Sequence, residues 1–164
     1  MINSAVRHTV VAALTTALAL LPTTAAQAEE SDKDNNIEKV ELFGVSVDTA
    51  PEHIAAGDRW VTHQKLYTVK KTKGKRTVQY AGKGESECGA VQVSHGEVTS
   101  QCTRVLRLKK GTLTLSDMIT YRPPKPVTAK TAIIGGTGHY RSAYGEGYIT
   151  LDGPRTHLEL DVDE

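Results

Sequence analysis

The chain carries almost no surplus of charge: 20 basic residues stand against 19 acidic ones over 164 positions. That balance leaves no electrostatic footprint for nucleic acid, and no nucleic-acid partner is expected. Cysteine is nearly absent as well, with two in all and no CxxC or HExxH pairing. A metal centre would have no ligand set to draw on, so no metal or other cofactor is expected. Helical period is missing too: nowhere does it persist uninterrupted through three turns. The five histidines downstream of the leader, His53, His63, His95, His139 and His157, are scattered, and no Ser, His and Asp constellation follows from their spacing.

Long hydrophobic runs are also lacking. The apolar stretch from Val10 to Leu21 has 12 residues, too few to cross a hydrocarbon core of about 30 Å, so no membrane span is expected. With Arg7 before it, and Pro22 and the small-residue site Ala26-Gln27-Ala28 after it, residues 1–28 read as a secretory signal peptide. No cysteine lies near the cleavage site to take a lipid. Cleavage near Ala28 leaves 136 residues with 19 basic and 19 acidic side chains, enough for one secreted domain with a real core. Residues 29–36 contain nothing apolar and are expected to be a flexible leader ahead of a domain spanning 37–164.

What is present is alternation. Runs of period two recur at 38–47, 58–69, 76–82, 85–93, 97–109, 112–121, 127–134, 139–151 and 156–162, separated by Gly, Pro or charged turns. With the third and fourth runs taken as one kinked strand, this gives about eight strands. Short sequential connections favour an up-and-down antiparallel barrel over a Greek-key sandwich, and closure removes exposed edges. The basic cluster of Lys70, Lys71, Lys73, Lys75 and Arg76 around Gly74 reads as a solvated hairpin tip rather than a polyanion site.

Cys88 and Cys102 lie on neighbouring runs, each seven residues from His95. If Ser94-His95-Gly96 is a three-residue hairpin loop with Gly96 left-handed, the two cysteines face each other. In an exported chain that makes a cross-strand disulfide the default, at a close, non-hydrogen-bonded pair. A free catalytic thiol is the alternative.

The run Ile133 to Leu151 reads as strand, glycine turn, strand, with Gly135, Gly136 and Gly138 in the turn. A dinucleotide loop would need a following helix and a third glycine, where Arg141 stands instead. The pattern Gly135, Gly136, Thr137, Gly138, Tyr140, Ala143, Gly145 resembles the signature of the allene oxide cyclase and dirigent barrel superfamily. Gly57 to Thr68 is similar to that family's second-strand motif. A cysteine strand at Cys88, the run Leu108 to Leu113 and the proline connection Pro123 to Pro126 keep the family's order. The resemblance implies an eight-stranded calycin-like barrel, a dimer or trimer in many members. It also implies a hydrophobic substrate that is isomerised, coupled or cyclised. The site residues carry over incompletely: Gly44 stands where the plant cyclases have a glutamate, Ser46 and Gln64 where they have asparagines, and Cys88 where they have a cysteine. Glu41 shares the first strand but has the opposite facing. Dirigent proteins carry an arginine between Ala143 and Gly145, where this chain has Tyr144.

Side-chain direction outlines a cavity independently. Trp60, Thr62, Gln64 and Leu66 share one strand face, and Cys102, Arg104, Leu106 and Leu108 another. Their apolar members argue that both faces point inward, with Tyr121 added to the lining. Gln64 and Arg104 become the candidate catalytic pair. Arg104 is open to three readings: solvated at the barrel mouth, held in a structural ion pair, or holding a ligand carboxylate or developing oxyanion. The expected partner is a hydrophobic small molecule. Two functions stay open, a cofactor-free cyclase or isomerase and a non-catalytic secreted binding or surface protein.

Overall fold

A computed structural model of the chain describes residues 37–48, 51–72 and 75–163. The expected signal peptide and leader, residues 1–36, lie outside the described residues, as do Lys73 and Gly74 of the basic cluster. The described chain is all-β: β1 (Glu38–Ser46), β2 (Arg59–Thr72), β3 (Lys75–Ser94), β4 (Glu97–Leu108), β5 (Gly111–Tyr121), β6 (Val127–Gly138), β7 (Tyr144–Asp152) and β8 (Arg155–Asp163). Each strand pairs antiparallel with the next, and β1 pairs with β8, closing the barrel in sequence order. The up-and-down topology expected from the short connections is therefore the one formed.

The alternation in the sequence sets the facing. In β5, Leu113, Leu115, Asp117 and Ile119 are buried, while Met118 between them is exposed. In β8, Thr156, Leu158, Leu160 and Val162 point inward. The runs 76–82 and 85–93 form the single strand β3, as allowed for, with Ala81 as an extra residue opposite the Leu66/Tyr67 step of β2. Beyond it, Thr68 to Thr72 pair with Lys75 to Gln79 alone, forming a two-stranded ribbon with Lys70, Lys75 and Arg76 exposed.

Two local expectations need correction. The β3–β4 turn is a two-residue loop, His95-Gly96, and Ser94 faces Glu97 across it. Both turn residues have positive φ, 51° and 77°, the conformation of a type I′ turn that matches strand twist. Ser94 is thus part of the strand. Val91 is then an unpaired extra residue between Ala90 and Gln92, and this bulge shifts the register by one, so that Cys88 still faces Cys102. The bond is formed: the Cα atoms are 4.1 Å apart, nearer the about 4.5 Å of a non-hydrogen-bonded pair than the about 5.5 Å of a hydrogen-bonded one. No cysteine is left for a free catalytic thiol. A disulfide persists in oxidising surroundings, which fits an extracytoplasmic compartment.

Gly135, Gly136 and Gly138 do not make the turn; β6 continues through them, with Ile134 as its extra residue, turned outward. The reversal lies at 139–143, where Tyr140 N–H donates to Thr137 O and Ala143 N–H to Tyr140 O. Tyr140 and Ala143 are buried and belong to the same core cluster as Leu113, Leu115, Ile133 and Val162, so this segment closes the packed end of the barrel. Gly136 is needed for close approach: a Cβ there would lie 2.2 Å from Thr112 O and 2.5 Å from Tyr140 O. The most distinctive run in the sequence is thus a seal for the packed end.

Candidate functional site

The opposite end is open. Its rim is made by the β1–β2 segment, the His95-Gly96 turn, the proline connection after β5 and the β7–β8 turn. Within it is a cavity of about 800 Å³, in the size range of small-molecule sites. The apolar wall includes Trp60, Val98, Leu151, Val127 and the Cys88–Cys102 bridge; Ser46, Thr62, Ser100 and Tyr121 add hydroxyls. The β1–β2 segment is tied down on both sides: Gly57 N–H donates to Ala90 O, and Asp48 accepts from the backbone N–H and Nδ1 of His63 at 2.7 Å each. This pairing holds the Asp48 carboxyl below its ordinary value and the His63 imidazole above its own.

The inner end of the cavity is formed by buried polar side chains. Arg104, on β4, donates from Nε and Nη2 to the two carboxylate oxygens of Asp117 on β5, at 2.7 and 3.0 Å. Its Nη1 donates to Ser86 on β3, and Asp117 also accepts from Thr131 on β6. The side chains of Arg104 and Asp117 are 6% and 0% exposed. The solvated reading of Arg104 is therefore overturned, since it is a buried ion pair that also borders the cavity. A guanidinium has five N–H bonds, and protein acceptors take three of these. Two are not taken by any protein acceptor, and the residue borders the cavity.

Across the barrel, Gln64 Nε2 donates to Thr156 Oγ1 at 2.8 Å. The side chain reaches β8 by crossing β1 at Gly44, where a Cβ would sit 2.5 Å from Gln64 Oε1. Gln64 thus occupies space that a side chain at residue 44 would need. Glu41 is exposed on the outer face and accepts from His157. Tyr121 is half-buried at the cavity; burial raises its phenol above the ordinary value of 10.0, partly offset by the charge of Arg104. It is a neutral hydroxyl at physiological pH.

Of the residues read from sequence, Trp60, Thr62, Gln64, Arg104 and Tyr121 come together at the cavity. Leu66, Leu106 and Leu108 share the inward faces but lie deeper, Leu66 and Leu106 in the core cluster and Leu108 packed against it. The central residue missed was Asp117. Its signal was available, an acid on the inward face of Leu113, Leu115, Ile119 and Tyr121. Among the described residues no cluster of His, Cys, Asp and Glu could hold a metal ion, and no helix is long and apolar enough to cross a membrane.

Comparison with protein-family models and with curated protein sequences finds no match. Among solved structures 24 chains match. One is a pyocyanin demethylase, 21% identical, with a TM-score of 0.57, covering 77% of this chain and all of its own. At that identity the likeness is one of fold: a closed antiparallel barrel.

Proposed function

We propose that this barrel is a secreted, small-molecule-binding protein of the allene oxide cyclase-like kind, and that its cavity promotes cyclisation or isomerisation of a hydrophobic substrate without a cofactor. The observation that carries the reading is the Arg104 guanidinium, buried at the inner end of an open 800 Å³ cavity with two N–H bonds unused by protein acceptors. Apolar walls supply affinity at about 25 cal/mol per Å² removed from water, while the few polar groups fix orientation. An acceptor held by Arg104, with the Tyr121 hydroxyl nearby, gains stabilisation if negative charge develops on it during bond reorganisation. Confinement against Trp60 and the disulfide restricts the conformations from which ring closure starts. A structural neighbour named for acting on pyocyanin adds support for a small-molecule ligand.

One observation favours binding without chemistry: Gly44 removes the first-strand acid, and Gln64, already bonded to Thr156, fills the gap with a neutral amide. The two readings separate on product analysis. Incubation with epoxide-bearing and polyene ketone substrates should give products of unchanged mass and altered retention if the site is catalytic, and only saturable binding if it is not. Thr62→Trp, which fills the cavity, should abolish either signal. Binding of the panel equally well by wild type and Thr62→Trp would count against the cavity as the site. Intact-mass analysis of exported protein tests the leader, with Glu29 expected as the first residue.

A further inference from the structure

Resting on the reading of the cavity as a small-molecule site, we infer that it selects ligands with an uncharged acceptor (ketone, enone, lactone or amide) and rejects carboxylates. Arg104 and Asp117 are the only charged residues in the buried class among the described residues. Asp117 holds Arg104 through two hydrogen bonds, with its own side chain wholly buried. The pair carries no net charge. It offers an acceptor N–H bonds in fixed directions, yet gives an incoming anion no unmatched cation to replace its lost water. An uncompensated ion is expensive to desolvate, whereas a neutral carbonyl loses little and regains a hydrogen bond from the guanidinium.

The rim reinforces this. Its ionisable side chains are Asp48 and Glu52 against Lys125, with His53 beside them. Asp48 is held below the ordinary carboxyl value by His63, which points away on the outer side of β2. Among the described residues lining the mouth, Lys125 is the one side chain with a fixed positive charge. Arg104 is thereby a donor to neutral acceptors rather than the carboxylate holder open to it in the sequence, and Asp117 is the residue that sets the selectivity.

The test uses the one tryptophan of the chain, Trp60, as reporter on the cavity wall. Wild-type protein is titrated with four ligands of one carbon skeleton: a macrolactone, a methyl ketone, a methyl ester and the free carboxylate at pH 7.5. At least one neutral ligand should bind about tenfold or more tightly than the carboxylate, equivalent to 1.4 kcal/mol. Asp117→Asn keeps the shape and removes the negative charge, so carboxylate affinity should rise about tenfold and the neutral ligands change by less than about threefold. Should Asp117→Asn fail to fold, Arg104→Gln/Asp117→Asn replaces it; with both charges gone, the preference for neutral ligands should persist. Wild-type binding of the carboxylate as tightly as the neutral ligands overturns the selectivity while leaving a functional cavity in place. No binding by any of the four overturns the cavity reading, and this inference with it.

Discussion

Replacing Arg104 by Met should be among the most damaging single changes in the barrel, and replacing Asp117 at the same time should undo most of the damage. In Arg104→Met the Asp117 carboxylate loses bonds of 2.7 and 3.0 Å and keeps only the Thr131 hydroxyl at 3.4 Å, with its side chain wholly buried. A hydrogen bond to a charged group contributes about 1.5–3 kcal/mol, so two account for about 3–6 kcal/mol. Breaking a buried pair from one side costs about 3–5 kcal/mol in measured systems. We expect a loss of about 4 kcal/mol, a large part of a total stability of about 5–15 kcal/mol. In Arg104→Met/Asp117→Leu no charge is stranded, Leu continues the apolar face of β5, and only the Ser86 and Thr131 hydroxyls lose partners. The double variant should lie within about 2 kcal/mol of wild type. Urea denaturation of all four members of the cycle, disulfide intact and slope unchanged, gives the coupling directly. A single variant within about 1 kcal/mol of wild type would refute the reasoning, as would a double variant no better than the single.

Cys88→Ala/Cys102→Ala should lower stability by about 3 kcal/mol on the chain-entropy account of a loop of about 15 residues, read as a lower urea midpoint; denatured, unreduced wild type should show no labelled thiol. The Asp48–His63 pair should be strongest between their two titrations. Asp48 is depressed below 3.8, so its contribution is lost as pH falls through that lowered value, and His63 is raised above 6.5, so its contribution is lost as pH rises through the raised one. Imidazole NMR should place His63 above 6.5 in wild type and lower in Asp48→Asn; no difference between the two would remove the pairing. Gly136→Ala should cost more than Gly44→Ala, because the first meets backbone carbonyls at 2.2 and 2.5 Å and the second the movable end of Gln64. Thermal melts would rank the two, and the reverse order would contradict the close approach at the sealed end.

Alternation made much of this molecule readable. It turned Trp60, Thr62, Gln64 and Arg104 inward and Glu41 outward, and with the short connections it implied sequential closure. Period two carries no information on depth, however. Leu66 shares a face with Gln64, and Leu106 and Leu108 with Arg104, yet all three lie toward the sealed end. Ion pairing across strands depends on register, which bulges alter by one residue at a time. The bulge at Ile134 carried Gly135–Gly138 into the ladder although the glycines read as a turn. At β3–β4 a loop one residue shorter than expected and a bulge at Val91 offset each other, so the cysteine pairing was legible although its turn was not. Asp117 was overlooked because one acid within an apolar strand face has no local motif; its meaning comes from the arginine one strand away.

The two ends of the described barrel emerge together, Glu38 at the start of β1 facing Val162 near the end of β8, on the sealed side beside Tyr140 and away from the mouth. A linker joined near residue 37 or 163 would hang from that side. Coupled to a bead or sensor chip through either position, the protein would present its cavity outward to the sample, and a fusion partner would leave ligand exchange unobstructed. Joining the two ends by a short bridge and reopening the chain at the exposed β2–β3 ribbon would move both new termini along the same side, so even a permuted barrel keeps its mouth clear.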